Sequence, residues 1–387
     1  MASPAIDPVL GALQAHFDAT DAVRRLQGDA IAALGLGSSE SPYAVVASGA
    51  YWRLRDYGHE RASNSLLIVA APIKRPYIWD LAPSASAIRI CLEHGLRVRL
   101  LEWIPASHHT NGVGLDECVL AISECVAQAA REDGGSKPFL SGHSLGGTLA
   151  AIHAASASDT IRGLLLLGAP LCFQPEQSGF RDALVSLVPP SLSDANPFPG
   201  SLLSHMSALA SPATFIWSRL MDAMLSLADQ HAMEVHARIE RWALDEVALP
   251  GKLVQQILDW LYREDRFRRG VLKINERPIG PASLTAPVLA IVNTVDDVAP
   301  MSSLRPFADA MPSNTMHVIE YPGEIGAGLQ HLGILVGREA RAKVWPDIMS
   351  WIDRHSDARP SERKRSGEGF GVRQPEGALD GQNAAPA

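Results

Sequence analysis

Several features that would place a protein in a special class are scarce in this sequence. It has four cysteines in 387 residues, and no run reaches the roughly 18 uncharged apolar residues of a membrane span. A long basic block is also missing, and the formal net charge is −8, so no segment is suited to neutralising phosphates. The sequence therefore predicts neither a membrane span nor a nucleic-acid partner.

The first thirty residues lack the pattern of a secretory signal. No basic start precedes an apolar run there, and the segment contains Asp7, Asp18 and Asp21. We therefore expect a cytoplasmic protein. The four cysteines are interpreted as small core residues rather than disulfides or metal ligands: Cys91, Cys118, Cys125 and Cys172.

From Ser65 onward the sequence alternates between short apolar runs and segments of helical periodicity. The apolar runs predict strands buried on both faces, at 66–71, 98–103, 139–141, 163–168, 288–294 and 316–321. The periodic segments predict helices at 85–94, 116–130, 145–155 and 340–355. This alternation is typical of an α/β protein with a mostly parallel central sheet flanked by helices.

The same pattern divides the chain into four predicted parts. We expect an N-terminal helical segment and edge hairpin at 1–64, and a disordered tail at 357–387. Residues 65–170 and 287–356 form the predicted core, and residues 171–286 interrupt it as a helical cap or lid. Most of a charge-poor apolar group in this insertion is expected to pack on the core, and some to line a substrate entrance: Met206, Phe215, Trp217, Met221 and Met224.

The segment 139–147, FLSGHSLGG, indicates a strand, a sharp turn and the start of a helix. It matches the G-x-S-x-G nucleophile elbow, with Ser144 at the centre. A residue at the top of that turn holds strained backbone angles, so the positions two residues away cannot carry side chains. The context favours Ser144 as the nucleophile of an enzyme with the α/β-hydrolase fold.

A serine hydroxyl needs a base, and in this fold the acid and then the histidine follow the nucleophile along the chain. Asp296 and Asp297 come just after the run 288–294, and His331 lies in a glycine-rich loop after the run 316–321. We therefore predict His331 as the base and Asp296 as the residue that orients it, with Asp297 as the alternative. Other histidines are interpreted as structural: His143, His153, His317 and His355.

The oxyanion of an acyl-transfer intermediate needs two backbone N–H donors, one after the nucleophile and one from the loop after the early strand. Leu145 is predicted to supply the first and Ile73 the second. No cofactor-binding residues are predicted. The adjacent pair His108 and His109 lacks the spacing of a metal-ligand set, so no metal site is predicted either.

Three groups of residues resemble the polyhydroxyalkanoate synthases, a family with the α/β-hydrolase fold. The segment 73–81 is similar to the family's segment after the oxyanion strand. Arg241-Trp242 with 249–251 is similar to its insertion, and 331–333 with 344–346 to its C-terminal part. The resemblance covers most of residues 65–355. It implies the catalytic acid at Asp296, the base at His331 and an oxyanion amide at Ile73. Lys74 stands where the family has an asparagine-like residue in its oxyanion segment.

One departure from that family bears on function, because the synthases use cysteine in the elbow where this chain has Ser144. A cysteine acyl-enzyme is a thioester that exchanges readily with a CoA thioester, whereas a serine acyl-enzyme is a less activated ester. The leading hypothesis is a serine hydrolase, an esterase or thioesterase, that acts on acyl or hydroxyacyl esters. The alternatives are a synthase-like acyltransferase that uses hydroxyacyl-CoA and a non-catalytic granule-associated protein.

The partners expected under these hypotheses follow from the substrates. They are a small-molecule ester or an acyl-CoA, the surface of a polyester granule, and a second copy of the chain in a homodimer.

Overall fold

The computed structural model of this chain describes residues 8–58, 62, 64–188, 197–312 and 315–356. The tail predicted at residues 357–387 lies outside these described residues. Within them, no helix is both long and apolar enough to cross a membrane.

A central sheet organises the molecule. The strands are β1 Ala44–Ser48, β2 Trp52–Asp56, β3 Ser65–Val69, β4 Asp80–Ala82, β5 Ala85–Ser86, β6 Arg97–Trp103, β7 Phe139–His143, β8 Gly163–Leu167, β9 Leu272–Ile274, β10 Arg277–Ile279, β11 Val288–Asn293 and β12 Met316–Tyr321. Eight of them form one sheet in the order β1-β2-β6-β3-β7-β8-β11-β12. The pairs from β6 through β12 are parallel, and the hairpin β1–β2 joins β6 antiparallel.

Helices flank this sheet, as the alternating pattern predicts, and further helices form the insertion. In chain order the α-helices are α1 Pro8–Ile31, α2 Ala87–Glu93, α3 Leu115–Glu132, α4 Leu145–Ser156, α5 Gly179–Leu187, α6 Gly200–Ala210, α7 Ser218–Ser226, α8 Gln230–Leu244, α9 Gly251–Gln256, α10 Arg305–Ala308, α11 Gly333–Val336 and α12 Trp345–Arg354. The helices α3 and α4 pack on each other and on β3, and Trp351 of α12 packs edge-to-face on Phe139 of β7. The α/β-hydrolase fold class is confirmed.

The predicted strands differ in how deeply they are buried. The central strands β3, β7, β8 and β11 are buried along their whole length, as their continuous apolar sequences indicate. In contrast β12 is the last strand of the sheet, and His317 and Glu320 on it are exposed. The expectation that every apolar strand is buried on both faces is therefore wrong for β12, the last strand of the sheet.

The insertion between β8 and β11 is mostly helical and contains α5 to α9. It also contains the short antiparallel pair β9–β10, which the sequence pattern did not indicate. The two residues between these strands, Asn275 and Glu276, have φ values of 48° and 62°. Positive φ at both central residues is the conformation of a two-residue hairpin turn.

The charge-poor apolar group of the insertion is divided between two environments. Met206 and Phe215 line an internal cavity that is described below. Trp217, Met221 and Met224 have exposed fractions of 61%, 53% and 59%. The expectation that most of this group packs on the core is thus wrong for these three, because the helical segment 213–226 turns them to the surface.

The N-terminal helix α1 packs against α8 of the insertion. The sequence did not assign it any part in the site, yet this packing brings Arg24 to the cavity. The four cysteines are all buried and free, which confirms their interpretation as core residues.

Candidate active site

The turn after β7 places Ser144 in a strained backbone conformation. Its φ is 54° and its ψ is −132°, although it carries a side chain. A Cβ on Gly142 would collide with the backbone of Gly146 and Gly147, and one on Gly146 with the carbonyl oxygen of Val69. The turn therefore brings the start of α4 against the end of β3, and it needs glycine at both positions.

The loops after β11 and β12 bring Asp296 and His331 together. Nδ1 of His331 and Oδ2 of Asp296 are 2.6 Å apart, and both side chains are buried. Burial raises the pKa of Asp296, but the adjacent His331 and the N–H groups of Val298 and Ala299 outweigh it and hold the pKa below its usual value. The carboxylate is therefore ionised and fixes Nδ1 as the nitrogen that donates to it.

The opposite ring nitrogen of His331 faces no protein partner. Nε2 is buried and makes no hydrogen bond within the described part of the chain. His331 and Ser144 both line the same cavity. This nitrogen is consequently available to take a proton from a hydroxyl in the cavity.

The neighbouring carboxylate, Asp297, has a different role in the structure. Its Oδ2 accepts a hydrogen bond of 2.9 Å from Oγ1 of Thr214, and its carbonyl oxygen accepts one from Ser178. Both partners belong to the insertion. Of the two predicted candidates, the structure thus pairs Asp296 with His331 and directs Asp297 to the insertion.

His143, which the sequence suggested to be structural, contacts His331 directly. Its Nε2 donates a hydrogen bond of 2.7 Å to the carbonyl oxygen of His331, and the ring centroids are 4.6 Å apart. Burial and then the nearby His331 lower the pKa of His143 to about 3, so its ring is neutral. In the sequence, this contact is indicated only by the position of His143 directly before Ser144, which places its side chain beside the elbow.

The two predicted oxyanion donors, Leu145 and Ile73, both line the cavity together with Ser144. Leu145 is the first residue of α4, where a backbone N–H has no intrahelical acceptor. We find no hydrogen-bond partner for either amide among the residues that the structure describes. The two amides thus have the free N–H groups that an oxyanion site requires.

The cavity lies between the elbow and the insertion and has a volume of about 450 Å³. Apolar side chains of the insertion form much of its wall: Phe180, Leu184, Phe198, Met206, Phe215, Leu249, Val254 and Leu258. A chamber of this size and lining suits the apolar part of a small ligand, held next to a few polar groups.

Arg24 and Lys74 form a polar part of the wall that the sequence did not predict. Each binds the buried carboxylate of Glu246, at 2.8 Å and 2.7 Å. Burial lowers the pKa of Lys74, and Glu246 opposes this effect. The three residues are far apart in sequence, so no local motif could have revealed their contact. Across the described ranges, no three His, Cys, Asp or Glu side chains group as metal ligands.

Comparison with known proteins gives relatives of one kind. The poly(3-hydroxyalkanoate) polymerase subunit PhaC of Haloferax mediterranei is 28% identical over 302 residues, which cover 77% of this chain and 60% of that protein. The corresponding subunit of Allochromatium vinosum is 25% identical over 74% of this chain and 80% of that protein. The chain spans about three fifths of the length of the Haloferax mediterranei and Haloarcula marismortui relatives. No protein-family model matches it.

Solved structures with the same fold are more distant in sequence. A lipase described as putative from Sulfolobus solfataricus superposes with a TM-score of 0.51 at 15% identity, over 81% of this chain and 99% of that one. Rv0554 from Mycobacterium tuberculosis superposes with a TM-score of 0.51 at 17% identity, over 78% of this chain and 93% of that one. The chain therefore has the α/β-hydrolase fold and is similar in sequence to polyhydroxyalkanoate polymerase subunits, with Ser144 in its elbow.

Proposed function

We propose that this chain is a serine hydrolase that cleaves acyl or hydroxyacyl esters, or the corresponding thioesters, through an acyl-Ser144 intermediate. The observation that carries the proposal is the meeting of a strained Ser144 with the buried His331–Asp296 pair at one cavity. Ser144 is the nucleophile, His331 the base and Asp296 the residue that orients it.

In the first step the Ser144 hydroxyl attacks the carbonyl carbon of the substrate, and its proton passes to Nε2 of His331. The negative charge that forms on the carbonyl oxygen is stabilised by the N–H groups of Leu145 and Ile73. When the bond to the alcohol or thiol breaks, His331 returns the proton to that leaving group. The acyl group is then an ester of Ser144.

In the second step water replaces the leaving group. His331 takes a proton from the water as its oxygen attacks the acyl carbonyl, and the bond to Oγ of Ser144 breaks with return of that proton. The products are the free acid and the original enzyme. No cofactor takes part in either step, and the apolar wall of the cavity holds the acyl chain.

The hydrolase proposal is favoured over polymer synthesis by the chemistry of serine. An oxygen ester on Ser144 stores less free energy for transfer than a thioester. Its transfer to a polyester hydroxyl only exchanges one oxygen ester for another, whereas its hydrolysis in water is favourable. The insertion at residues 171–286 acts in this scheme as a cap over the cavity, with the core at residues 65–170 and 287–356.

A second function is supported by the relatives, which are named as poly(3-hydroxyalkanoate) polymerase subunits. In that case the chain transfers a hydroxyacyl group from hydroxyacyl-CoA through Ser144 to the hydroxyl end of a growing polyester. Exposed apolar side chains on the insertion support a polyester granule surface as a partner of either enzyme. A cytoplasmic, granule-associated setting fits both functions, and a non-catalytic granule protein is the third hypothesis.

The products of one reaction separate the three functions. The purified full chain is incubated with 3-hydroxybutyryl-CoA, and in parallel with p-nitrophenyl esters, while free CoA, free acid and polymer are measured separately. We expect the wild-type chain to release free acid and to form no polymer, and we expect Ser144→Ala to release no free acid. Polymer from the wild-type chain would favour the acyltransferase, and no turnover together with no fluorophosphonate labelling of Ser144 would leave the non-catalytic protein.

Replacement of Ser144 by cysteine tests whether the surrounding cavity is that of a synthase. We expect Ser144→Cys only to hydrolyse, and more slowly than the wild type. The larger sulfur sits a few tenths of an ångström from the position that suits His331 and the oxyanion donors, and misplacement on the order of 1 Å can cost about a hundredfold. Polymer from Ser144→Cys, but not from the wild type, would instead indicate a synthase cavity limited by its nucleophile.

A further inference from the structure

The loop that carries His331 connects β12 to α11 over residues 322–332. Three glycines in it have positive φ, 76° at Gly323, 87° at Gly326 and 68° at Gly328. Glycine-rich backbone of this kind has many accessible conformations when nothing else restrains it. The contacts that hold this loop therefore decide where His331 lies.

The base of the loop is tied to the sheet. The side chain of Gln330 accepts a hydrogen bond of 3.1 Å from the backbone N–H of Glu324 and donates one of 2.6 Å to its carbonyl oxygen. Nδ2 of Asn293, at the end of β11, donates to the carbonyl oxygen of Gln330 at 2.8 Å. These bonds close the two ends of the loop but do not reach its tip.

The tip of the loop is held by the insertion, through a single carboxylate. Oδ1 of Asp222 accepts a hydrogen bond of 2.6 Å from the backbone N–H of Gly326, and Oδ2 accepts one of 2.9 Å from that of Gly328. Asp222 lies on α7, more than a hundred positions away in sequence, and is buried. It is placed to bind two amides of the loop at once.

The second helix of the insertion, α8, completes this contact. Nδ1 of His236 lies 3.0 Å from Oδ2 of Asp222. A Cβ on Gly328 would lie 3.0 Å from a methyl carbon of Ile239, so the loop touches the helix closely here. Burial raises the pKa of Asp222, but His236 and the two loop amides outweigh it and hold the pKa below its usual value. The carboxylate is thus ionised where it meets the loop.

We infer that Asp222 is a positioning residue for His331: it fixes the tip of the histidine loop and so sets the base against Ser144. The inference rests on the proposed function, in which His331 is the base. Only Leu329 and Gln330 separate Gly328 from His331, too few residues to absorb a displacement of the tip. Loss of the carboxylate would leave two amides unpaired in a buried place, and the loop would move to pair them.

The substitution Asp222→Asn tests this inference, because the amide keeps the shape and removes one of the two acceptors. The first measurement is the rate at which a fluorophosphonate labels Ser144, recorded from pH 5 to pH 9. The second is kcat and KM for a p-nitrophenyl ester. Asp229→Asn is the matched control, since Asp229 is also in the insertion and accepts two backbone N–H bonds, but from His231 and Ala232 of its own helix.

We expect Asp222→Asn to lower both the labelling rate and kcat by about tenfold or more, since displacement of a catalytic group by about 1 Å can cost a hundredfold. The KM should change little, and the pH midpoint of labelling should move because His331 no longer sits in its place beside Asp296. The control should stay within about twofold of the wild type, as surface substitutions usually do. Labelling of Asp222→Asn at the wild-type rate and pH midpoint would overturn the inference.

Failure of the proposed function is distinguishable, because the wild-type chain would then not be labelled at Ser144 at all. Amide hydrogen exchange on the wild-type chain tests the same contact even if Asp222→Asn does not fold. We expect the N–H groups of Gly326 and Gly328 to exchange at least tenfold more slowly than that of the exposed Ile325, which directly precedes Gly326. Equal exchange at the three positions would mean that Asp222 does not hold the loop.

Discussion

The elbow and the insertion, which form opposite walls of one cavity, are held in different ways. Ser144 is fixed by backbone alone, in a turn between a buried strand and a helix where neighbouring segments leave no room for side chains. The insertion meets the core through side chains, such as Thr214 on Asp297 and Asp222 on the histidine loop. The nucleophile therefore has a position set by the fold, whereas the base depends on contacts that single substitutions can remove.

Two buried aspartates, one at the site and one in the insertion, differ in how far their surroundings compensate the negative charge. Asp296 has its pKa lowered, because His331 and backbone amides compensate its burial. Asp265 of the insertion has its pKa raised to about 6 by burial, which the N–H of Phe173 and nearby arginines only partly offset. The carboxylate at the site is thus kept ionised, while the one in the insertion destabilises the folded chain at neutral pH.

The largest expected effect comes from removing the nucleophile or the base. Ser144→Ala and His331→Ala should each lower turnover of a p-nitrophenyl ester by three or more orders of magnitude, with the fold intact, because the members of a triad act as a unit. Turnover is measured beside circular dichroism of both variants. If Ser144→Ala retained more than about a tenth of the wild-type rate, another group would have to be the nucleophile.

The next largest effect on kcat should come from Asp296→Asn, and it should exceed the effect of the same change at the adjacent Asp297. Asp296→Asn should lower kcat by about a hundredfold or more, because the amide cannot hold His331 in the required tautomer. Asp297→Asn should lower it by less than tenfold, because the amide oxygen can still accept from Thr214. Steady-state kinetics on the pair give the comparison directly. If Asp297→Asn lowered kcat more than Asp296→Asn, Asp297 and not Asp296 would be the residue that orients His331.

The sequence predicted the core well because its signals are local. The apolar runs gave β3, β7, β8 and β11, and the glycines around Ser144 indicated the elbow, since both follow from steric rules within a few residues. The order of acid and histidine along the chain indicated His331 with Asp296, and Asp297 as the alternative, and the structure brings Asp296 and His331 together. Their catalytic roles remain predictions that the variants above test.

The contacts of the insertion could not be predicted in the same way. Whether Trp217 lies inside or outside depends on how the helical segment 213–226 rotates against the rest of the molecule, and the sequence of that segment does not encode the rotation. The bonds of Asp222 to the histidine loop and of Arg24 to Glu246 join residues about a hundred and more than two hundred positions apart. Long-range polar pairs of this kind have no pattern in a single sequence.

A smaller effect, on stability, is expected from Asp265→Asn. Because the pKa of Asp265 is raised in the folded chain, folding binds a proton between about pH 4 and pH 6, and the free energy of unfolding falls as pH rises through that range. The amide keeps an acceptor for the N–H of Phe173 and tolerates the φ of 48° at this position. We expect the variant to be more stable by about 1–2 kcal/mol at pH 7.

Urea unfolding at pH 4, 5, 6 and 7 measures this difference. At pH 4 the wild-type carboxyl is largely protonated in the folded chain, so the two proteins should be nearly equal there and diverge as pH rises. An advantage of Asp265→Asn that is the same at every pH would mean that the charge is not its cause.

The smallest effect on stability is expected from Trp217→Ser, which compares two aromatic residues of the same turn in the insertion. Trp217 is exposed, so its removal should change the free energy of unfolding by less than about 0.5 kcal/mol. Phe215, two positions away, lines the cavity and packs on Phe180 with ring centroids 5.5 Å apart, so Phe215→Ser should cost about 1–3 kcal/mol.

Both variants are then compared on a soluble p-nitrophenyl ester and for binding to a polyester film. If the exposed apolar surface contacts a granule, Trp217→Ser should keep the soluble activity and bind the film more weakly than the wild type. Phe215→Ser should instead lose soluble activity first. Equal film binding by Trp217→Ser and the wild type would mean that Trp217 does not contact a granule.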